Sequence, residues 1–248
     1  MDAAILMKDN TMTFWEHVAE LRWRLLVAAI AMVAGTVACF FFVEPAAAYI
    51  MRPVGDMQFV YLSPPELFMS YVKIALIGGI VIASPLILFE VWLFVRPGLS
   101  RRERISLIFG LFFGAIFFVA GAAFSFFVIV PFSLRFFLQY QNEAVKALFS
   151  FSEYVGFVGS MVLSFGAAFE LPIVVAILAG LGVVTGTGLA KARGISVLLI
   201  FIGAAIITPP DIVSQVLLGV PMLLLFELSV ILAKGQERSR AKRLDLED

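Results

Sequence analysis

The sequence predicts an all-α polytopic membrane protein of six transmembrane helices, with both termini on the cytoplasmic side. Composition is the first observation: 62% of the 248 residues are hydrophobic and the mean hydropathy is +1.03, so apolar runs fill most of the chain instead of surrounding one soluble core. The second is the set of runs themselves: Leu25 to Val43, Leu67 to Val95, Ile105 to Val130, Tyr154 to Val184, Gly194 to Thr208 and Ile212 to Ala233. Most contain glycine or proline and almost no charge, as spanning helices do when neighbours satisfy a bent backbone. The third is the alternation of basic residues. Lys8, Arg22 and Arg24 precede the first run; Arg96, Arg101, Arg102 and Arg104 separate the second from the third; Lys191 and Arg193 separate the fourth from the fifth; Lys234, Arg238, Arg240, Lys242 and Arg243 follow the sixth. The opposite side keeps Arg52, Arg135, Lys146 and Lys73, so the positive-inside bias sets both ends in the cytoplasm.

Residues 1–233 form a single six-helix transmembrane domain on this reading, and 234–248 form a polar tail that alternates both charge signs and is expected to be disordered. No small-residue cleavage site follows the first apolar run, which therefore reads as a permanent helix and not as a removed signal. Thr13 and Glu16 have capping-box spacing, so a helix is expected to begin there and continue into the first span. His17, Glu20, Leu21 and Arg24 share one face of it. Glu20 and Arg24, four apart, can pair with each other. His17 is the only histidine, so no metal site can be built from it. Cys39, the only cysteine, lies inside the first run, where it reads as a small packing residue.

Proline interrupts the second, fourth and sixth runs at Pro85, Pro172 and Pro221, and several bent helices suggest a concave wall. Gly110 and Gly114 read as packing positions. The fifth run, bounded by Arg193 and Pro209, reaches only about 22 Å against a hydrocarbon core of about 30 Å. Two readings are open for it: a helix shielded inside the bundle, or an edge where the bilayer thins or a partner helix docks. Thr208-Pro209-Pro210-Asp211 turns the chain tightly, so the last two helices form a hairpin.

Ionisable groups inside apolar runs are costly, which singles out Glu170 in Ala-Ala-Phe-Glu-Leu-Pro. It is either a hydrogen-bonded packing acid or the polar point of a water-accessible cavity that meets a ligand or partner. Glu90 and Glu227 lie nearer the cytoplasmic ends of the second and sixth helices and can be structural. Glu103 is the one acid among four arginines in the loop after the second helix. Its neighbours can neutralise it, yet with Glu20 on the same side it offers two acceptors for bidentate bonds to guanidinium groups.

The stretch His17-Val-Ala-Glu20-Leu-Arg22-Trp-Arg24-Leu resembles the His-x-x-Glu-Leu-Arg-x-Arg-Leu signature of the TatC family, the signal-receptor subunit of twin-arginine protein translocases. The resemblance continues through Ser63-Pro64 with Phe68 and Lys73, Pro85, the loop from Phe94 through Pro97 and Leu99 to Glu103-Arg104, Phe169-Glu170 with Pro172, and Thr208-Pro209-Pro210-Asp211 with Gln215. It covers about Thr13 to Ala233. It implies a multi-pass membrane protein that binds twin-arginine signal peptides of folded proteins; the family occurs in prokaryotic inner membranes and in organelles, and the bacterial cytoplasmic (inner) membrane is the default expectation. Single-span TatA- or TatB-type subunits, an oligomeric complex and the proton-motive force are implied with it. By the same resemblance, Glu20 and Glu103 accept the signal arginines, and Arg22, Phe94, Pro97, Leu99 and Arg104 shape the cytoplasmic site. Glu170 and Gln215 are then intramembrane partner contacts, with the short fifth helix as docking edge.

A proton-coupled transporter of small solutes is the alternative, although no repeated halves with matching broken helices are evident. No enzyme motif occurs, neither His-Glu-x-x-His nor Gly-x-Ser-x-Gly, and no phosphate-binding glycine loop. No cofactor, metal or nucleic-acid partner is expected.

Overall fold

The computed structural model describes residues 14–54, 58–95, 101–139, 148–207 and 212–244. Helix α1 (Phe14–Phe40) is followed by a short α2 (Val43–Met51), and α3 (Pro64–Val95) returns across the molecule. The third apolar run becomes α4 (Arg101–Phe124), a π turn at Ser125–Ile129, and α5 (Val130–Leu138). The fourth becomes α6 (Phe151–Phe169) and α7 (Leu171–Leu181), and α8 (Gly186–Lys191) leads into α9 (Arg193–Ile207) and α10 (Ile212–Leu244). Among the described residues, five helical stretches are long and apolar enough to cross a membrane, and the shorter α9 makes the expected sixth. Thr13, the expected N-cap, and the Thr208–Asp211 turn lie outside the described residues.

Proline chemistry explains the two breaks. Pro131 has no N–H for the carbonyl of Phe127 and its ring crowds that carbonyl, so the preceding turn widens into the π turn and the helix then continues past the expected end at Val130. Pro172 likewise leaves the carbonyl of Ala168 without its helical donor. The fourth span breaks at Glu170 and restarts when the Glu170 carbonyl accepts from Val174 N–H at 2.9 Å. It ends at Gly182, whose φ of 77° is open to glycine at little cost.

The all-α expectation omits one small feature. Strands β1 (Phe59–Val60) and β2 (Phe149–Ser150) pair in parallel at the end of the bundle where α3 and α6 begin. Glu66 ties the two loops, accepting from Leu62 N–H at 2.6 Å and from the Ser150 hydroxyl. Lys73 adds a bond to Ser152 Oγ at 2.9 Å.

The expected disordered tail is also different in its described part: α10 continues to Leu244. Gln, Glu, Arg, Ala and Lys are good helix formers, and a helix already nucleated in the bundle extends at little cost.

The core lies among the third, fourth and last spans. Val130, Leu134, Tyr154, Met161, Phe165 and Leu218 are buried in one cluster, and Tyr154 closes it by donating from its hydroxyl to the Ile50 carbonyl at 2.6 Å. By contrast α1 packs chiefly on α3. That crossing uses Gly35 and Gly79, because a Cβ on Gly35 would meet the Gly79 carbonyl oxygen at 2.8 Å. Cys39 packs at the same seam against Gly78, the small-residue role expected of it.

Candidate functional site

Where α1 starts and α3 ends, the sequence-predicted face of α1 meets α3. Arg24 bridges the two helices: its Nη1 donates to Glu90 Oε2 at 3.1 Å and its Nη2 to Glu20 Oε1 at 3.2 Å. Glu90 is buried, at 6% exposure, which a carboxylate tolerates only when paired. One turn before Glu20, His17 stacks on Phe94 with ring centroids 4.3 Å apart. The local pairing of Glu20 with Arg24 is therefore real. Glu20 is not exhausted by it: Oε2 is buried and has no hydrogen-bond partner among the described residues.

Arg22 points elsewhere. It is exposed and lines a shallow depression with Trp15, Trp23 and Leu26 on the outer face of α1. Pro97 and Leu99 lie outside the described residues. Glu103 and Arg104 fall in the first turn of α4, and their side chains also lie outside what is described. Only residues 96–100 separate α3 from α4, at most about 3.6 Å each, so Glu103 starts its helix at the same end of the bundle as Glu90 and Phe94.

Deeper in the bundle, α3, α4 and α7 enclose an open, almost wholly apolar groove of about 170 Å³, the concavity that the bent helices suggest. Glu170 is the one acid among its described lining residues, set among Trp92, Gly114 and Ile173. The break before Pro172 aims this carboxyl at α4, and Gly114 makes room for it, since a Cβ there would lie 2.9 Å from Glu170 Oε2. Glu170 Oε1 is buried without a hydrogen-bond partner among the described residues. Gly110 and Gly114, expected as packing positions, do pack: Gly110 against Ile177, Gly114 against the candidate acid.

Gln215 serves a different end. Its Nε2 donates to the Phe201 carbonyl at 2.9 Å, tying α10 to α9. Gln215→Ala should lower the unfolding midpoint in detergent by an amount equivalent to about 1 kcal/mol; an unchanged midpoint would show that bond to be inert. Helix α9 is not shielded inside the bundle, since Ile195, Leu198, Leu199 and Ile206 are all at least 60% exposed. Glu227 is structural in the expected sense, bonded to Arg193 at 2.8 Å. Among the described residues no group of acids, histidines and cysteines is arranged to hold a metal.

Sequence reasoning missed the Arg24–Glu90 bridge, which joins residues far apart in the chain. A signal was present: an acid more than one turn inside the end of α3 needs a cation at its own depth, and Arg24 is the arginine nearest the start of the first span.

The family model for the Sec-independent protein translocase protein TatC matches residues 16–221. Among curated proteins, TatC of Carboxydothermus hydrogenoformans is 38% identical over 231 residues, 92% of this chain and 95% of its own length. TatC of Desulforapulum autotrophicum is 37% identical over 232 residues, 92% of this chain and 86% of its own length. A crystal structure of the twin-arginine translocase receptor TatC superposes with a TM-score of 0.80 at 36% identity, covering 89% of this chain and 99% of that one. A second, of the same receptor in DDM, gives 0.82 at 36% identity over 88% of this chain and all of that one. With a family model over residues 16–221, relatives more than 30% identical along most of both chains and a matching fold, the chain belongs to the TatC family and is a component of the Sec-independent, twin-arginine protein translocase, not an enzyme.

Proposed function

We propose that this chain is the signal receptor of its translocase and that Glu20 and Glu103 accept the paired arginines of a signal peptide. The observation that carries the proposal is the Glu20 carboxylate, held by Arg24 through one oxygen and buried without a hydrogen-bond partner among the described residues at the other, at the end of the bundle where α4 brings in Glu103. Charge-assisted bonds contribute about 1.5–3 kcal/mol each, so two carboxylates give selectivity without irreversible capture. A guanidinium bonds a carboxylate through two N–H groups in fixed geometry and an ammonium does not, so arginine is preferred over lysine. Phe94 and His17 wall the site on the α3 side, and Arg22, Pro97, Leu99 and Arg104 complete its surroundings on this reading.

With the basic loops inside, both termini and this site face the cytoplasm of a bacterial inner membrane. The apolar remainder of the signal then lies along the bundle. Glu170 in the apolar groove and the exposed face of α9 are the membrane-depth contacts for single-span TatA- or TatB-type helices, with Gln215 setting the α9–α10 hairpin that presents that edge. A copy of the complex holds several such chains, and the proton-motive force supplies the energy. The small-solute transporter alternative has no support from the family match.

Fluorescent signal peptides carrying Arg-Arg or Lys-Lys, titrated onto full-length protein in nanodiscs, test the proposal. Wild-type protein should bind the Arg-Arg peptide about tenfold or more tightly than the Lys-Lys peptide, and Glu103→Gln should erase the difference. An undiminished preference in Glu103→Gln would refute the assignment.

A further inference from the structure

Glu20 and Arg24 alone make a neutral pair. They are one helical turn apart on α1 and bonded at 3.2 Å, so an incoming guanidinium would meet a carboxylate whose charge its own helix has already cancelled. The structure resolves this with a third group. Glu90, from α3, takes the other nitrogen of Arg24 at 3.1 Å, so two carboxylates share one guanidinium and the trio keeps a net negative charge. The side chains of Glu20 and Glu90 are 16% and 8% exposed, deep enough that water screens the trio poorly.

We propose that Glu90 is a positioning residue for signal recognition: by sharing Arg24, it keeps the charge of Glu20 electrostatically available to an arginine of the signal peptide. The inference rests on the receptor reading above and extends it to a residue that need not touch the signal. The division of labour follows from the geometry. Arg24 fixes Oε1 of Glu20 and leaves Oε2 buried but without a hydrogen-bond partner among the described residues, so the signal arginine has to uncover this oxygen to pair with it. Glu90, at 6% exposure and with its Oε2 already bonded to Arg24, holds that arginine instead of receiving the ligand. In this sense Arg24 is an internal guanidinium that competes with the signal arginine for Glu20. Glu90 prevents it from neutralising that acceptor.

Glu90→Gln isolates the charge, because a glutamine of the same length still offers Arg24 a carbonyl oxygen. The test is the same peptide titration on full-length protein in nanodiscs, with wild type, Glu90→Gln, the double variant Arg24→Gln with Glu90→Gln, and Glu103→Gln. In Glu90→Gln the Kd for the Arg-Arg peptide should rise about tenfold, because Arg24 then belongs to Glu20 alone. The double variant should recover most of that loss, since Glu20 is released from its internal counter-ion. A purely structural role predicts the opposite sign: removing both partners leaves Glu20 buried and unpaired, so the double variant would bind worse than Glu90→Gln. Wild-type affinity in Glu90→Gln, or no recovery in the double variant, overturns the inference. If Glu103→Gln loses the Arg-Arg preference while Glu90→Gln keeps wild-type affinity, only this inference falls. If wild-type protein shows no Arg-Arg preference, or Glu103→Gln retains it, the receptor reading falls and takes this one with it.

Discussion

Valine at Gly79 should cost the protein its signal binding and much of its stability in one step. A Cβ at Gly79 would lie 2.6 Å from Thr36 Oγ1 and 2.7 Å from Thr36 Cα, and the second of these is backbone that cannot rotate away. Within a bilayer, helices gain little from leaving solvent and are held by close packing, so a lost crossing is not compensated elsewhere. Helix α1 is especially dependent on it, because its membrane-depth stretch buries none of its residues and α3 is its chief neighbour. Overpacking of this kind costs about 1–3 kcal/mol or more. It would also slide Arg24 off Glu90, where a shift of about 1 Å already breaks a hydrogen bond. Peptide titration and thermal unfolding of Gly79→Val should therefore fail together. Gly78→Ala is the control: its new methyl would meet the side-chain sulfur of Cys39 at 3.0 Å, which can yield, and both readings should stay near wild type. Wild-type binding by Gly79→Val would mean that the α1–α3 seam does not build the site.

Glu170→Leu should do the reverse, leaving recognition intact and removing transport. The site of Glu20, Arg24 and Glu90 shares no described residue with the groove that Glu170 lines, so Arg-Arg peptide affinity should stay within about twofold. Export of a folded cargo by membrane vesicles should fall by about tenfold or more, because the groove loses its one acid and, on the proposed reading, the polar contact for a partner helix. Glu170→Gln should retain more export than Glu170→Leu, since an amide can still hydrogen-bond at membrane depth. Export at wild-type level in Glu170→Leu would return Glu170 to its other reading, a packing acid against Gly114.

The helices, their count and the shortness of α9 were legible because they rest on local hydropathy, which a single chain displays directly. Where proline stands inside an apolar run, its presence was legible but not its consequence. Pro85 and Pro221 sit within continuous helices, Pro131 is absorbed by a π turn, and Pro172 breaks the span outright. The same missing N–H has these different outcomes because neighbouring helices decide how the freed carbonyl is accommodated. Contacts between distant segments were least legible. The Glu90–Arg24 bridge, the Gly35–Gly79 crossing and the β1–β2 pairing depend on which helix faces bury against each other, and charge or glycine along one run does not say that. Gly110 and Gly114 show the middle case: the pattern marks a close approach, and only the fold reveals that Glu170 is what approaches. Of the candidate residues, Glu20 and Phe94 come together with His17, Arg24 and Glu90, while Arg22 and Gln215 face other tasks.

The most direct measurement is site-specific photo-crosslinking of a signal peptide to the full protein in native membranes, with the photoreactive residue placed either at Phe94 or at Leu62. Phe94 lies in the last turn of α3 and Leu62 just before its first residue, Pro64, so the two positions flank opposite ends of that helix. Capture of an Arg-Arg peptide at position 94, absent at 62 and lost when the peptide carries Lys-Lys, is the result expected if the acid cluster receives the signal. Equal capture at both positions, or capture at 94 that does not depend on arginine, would contradict it.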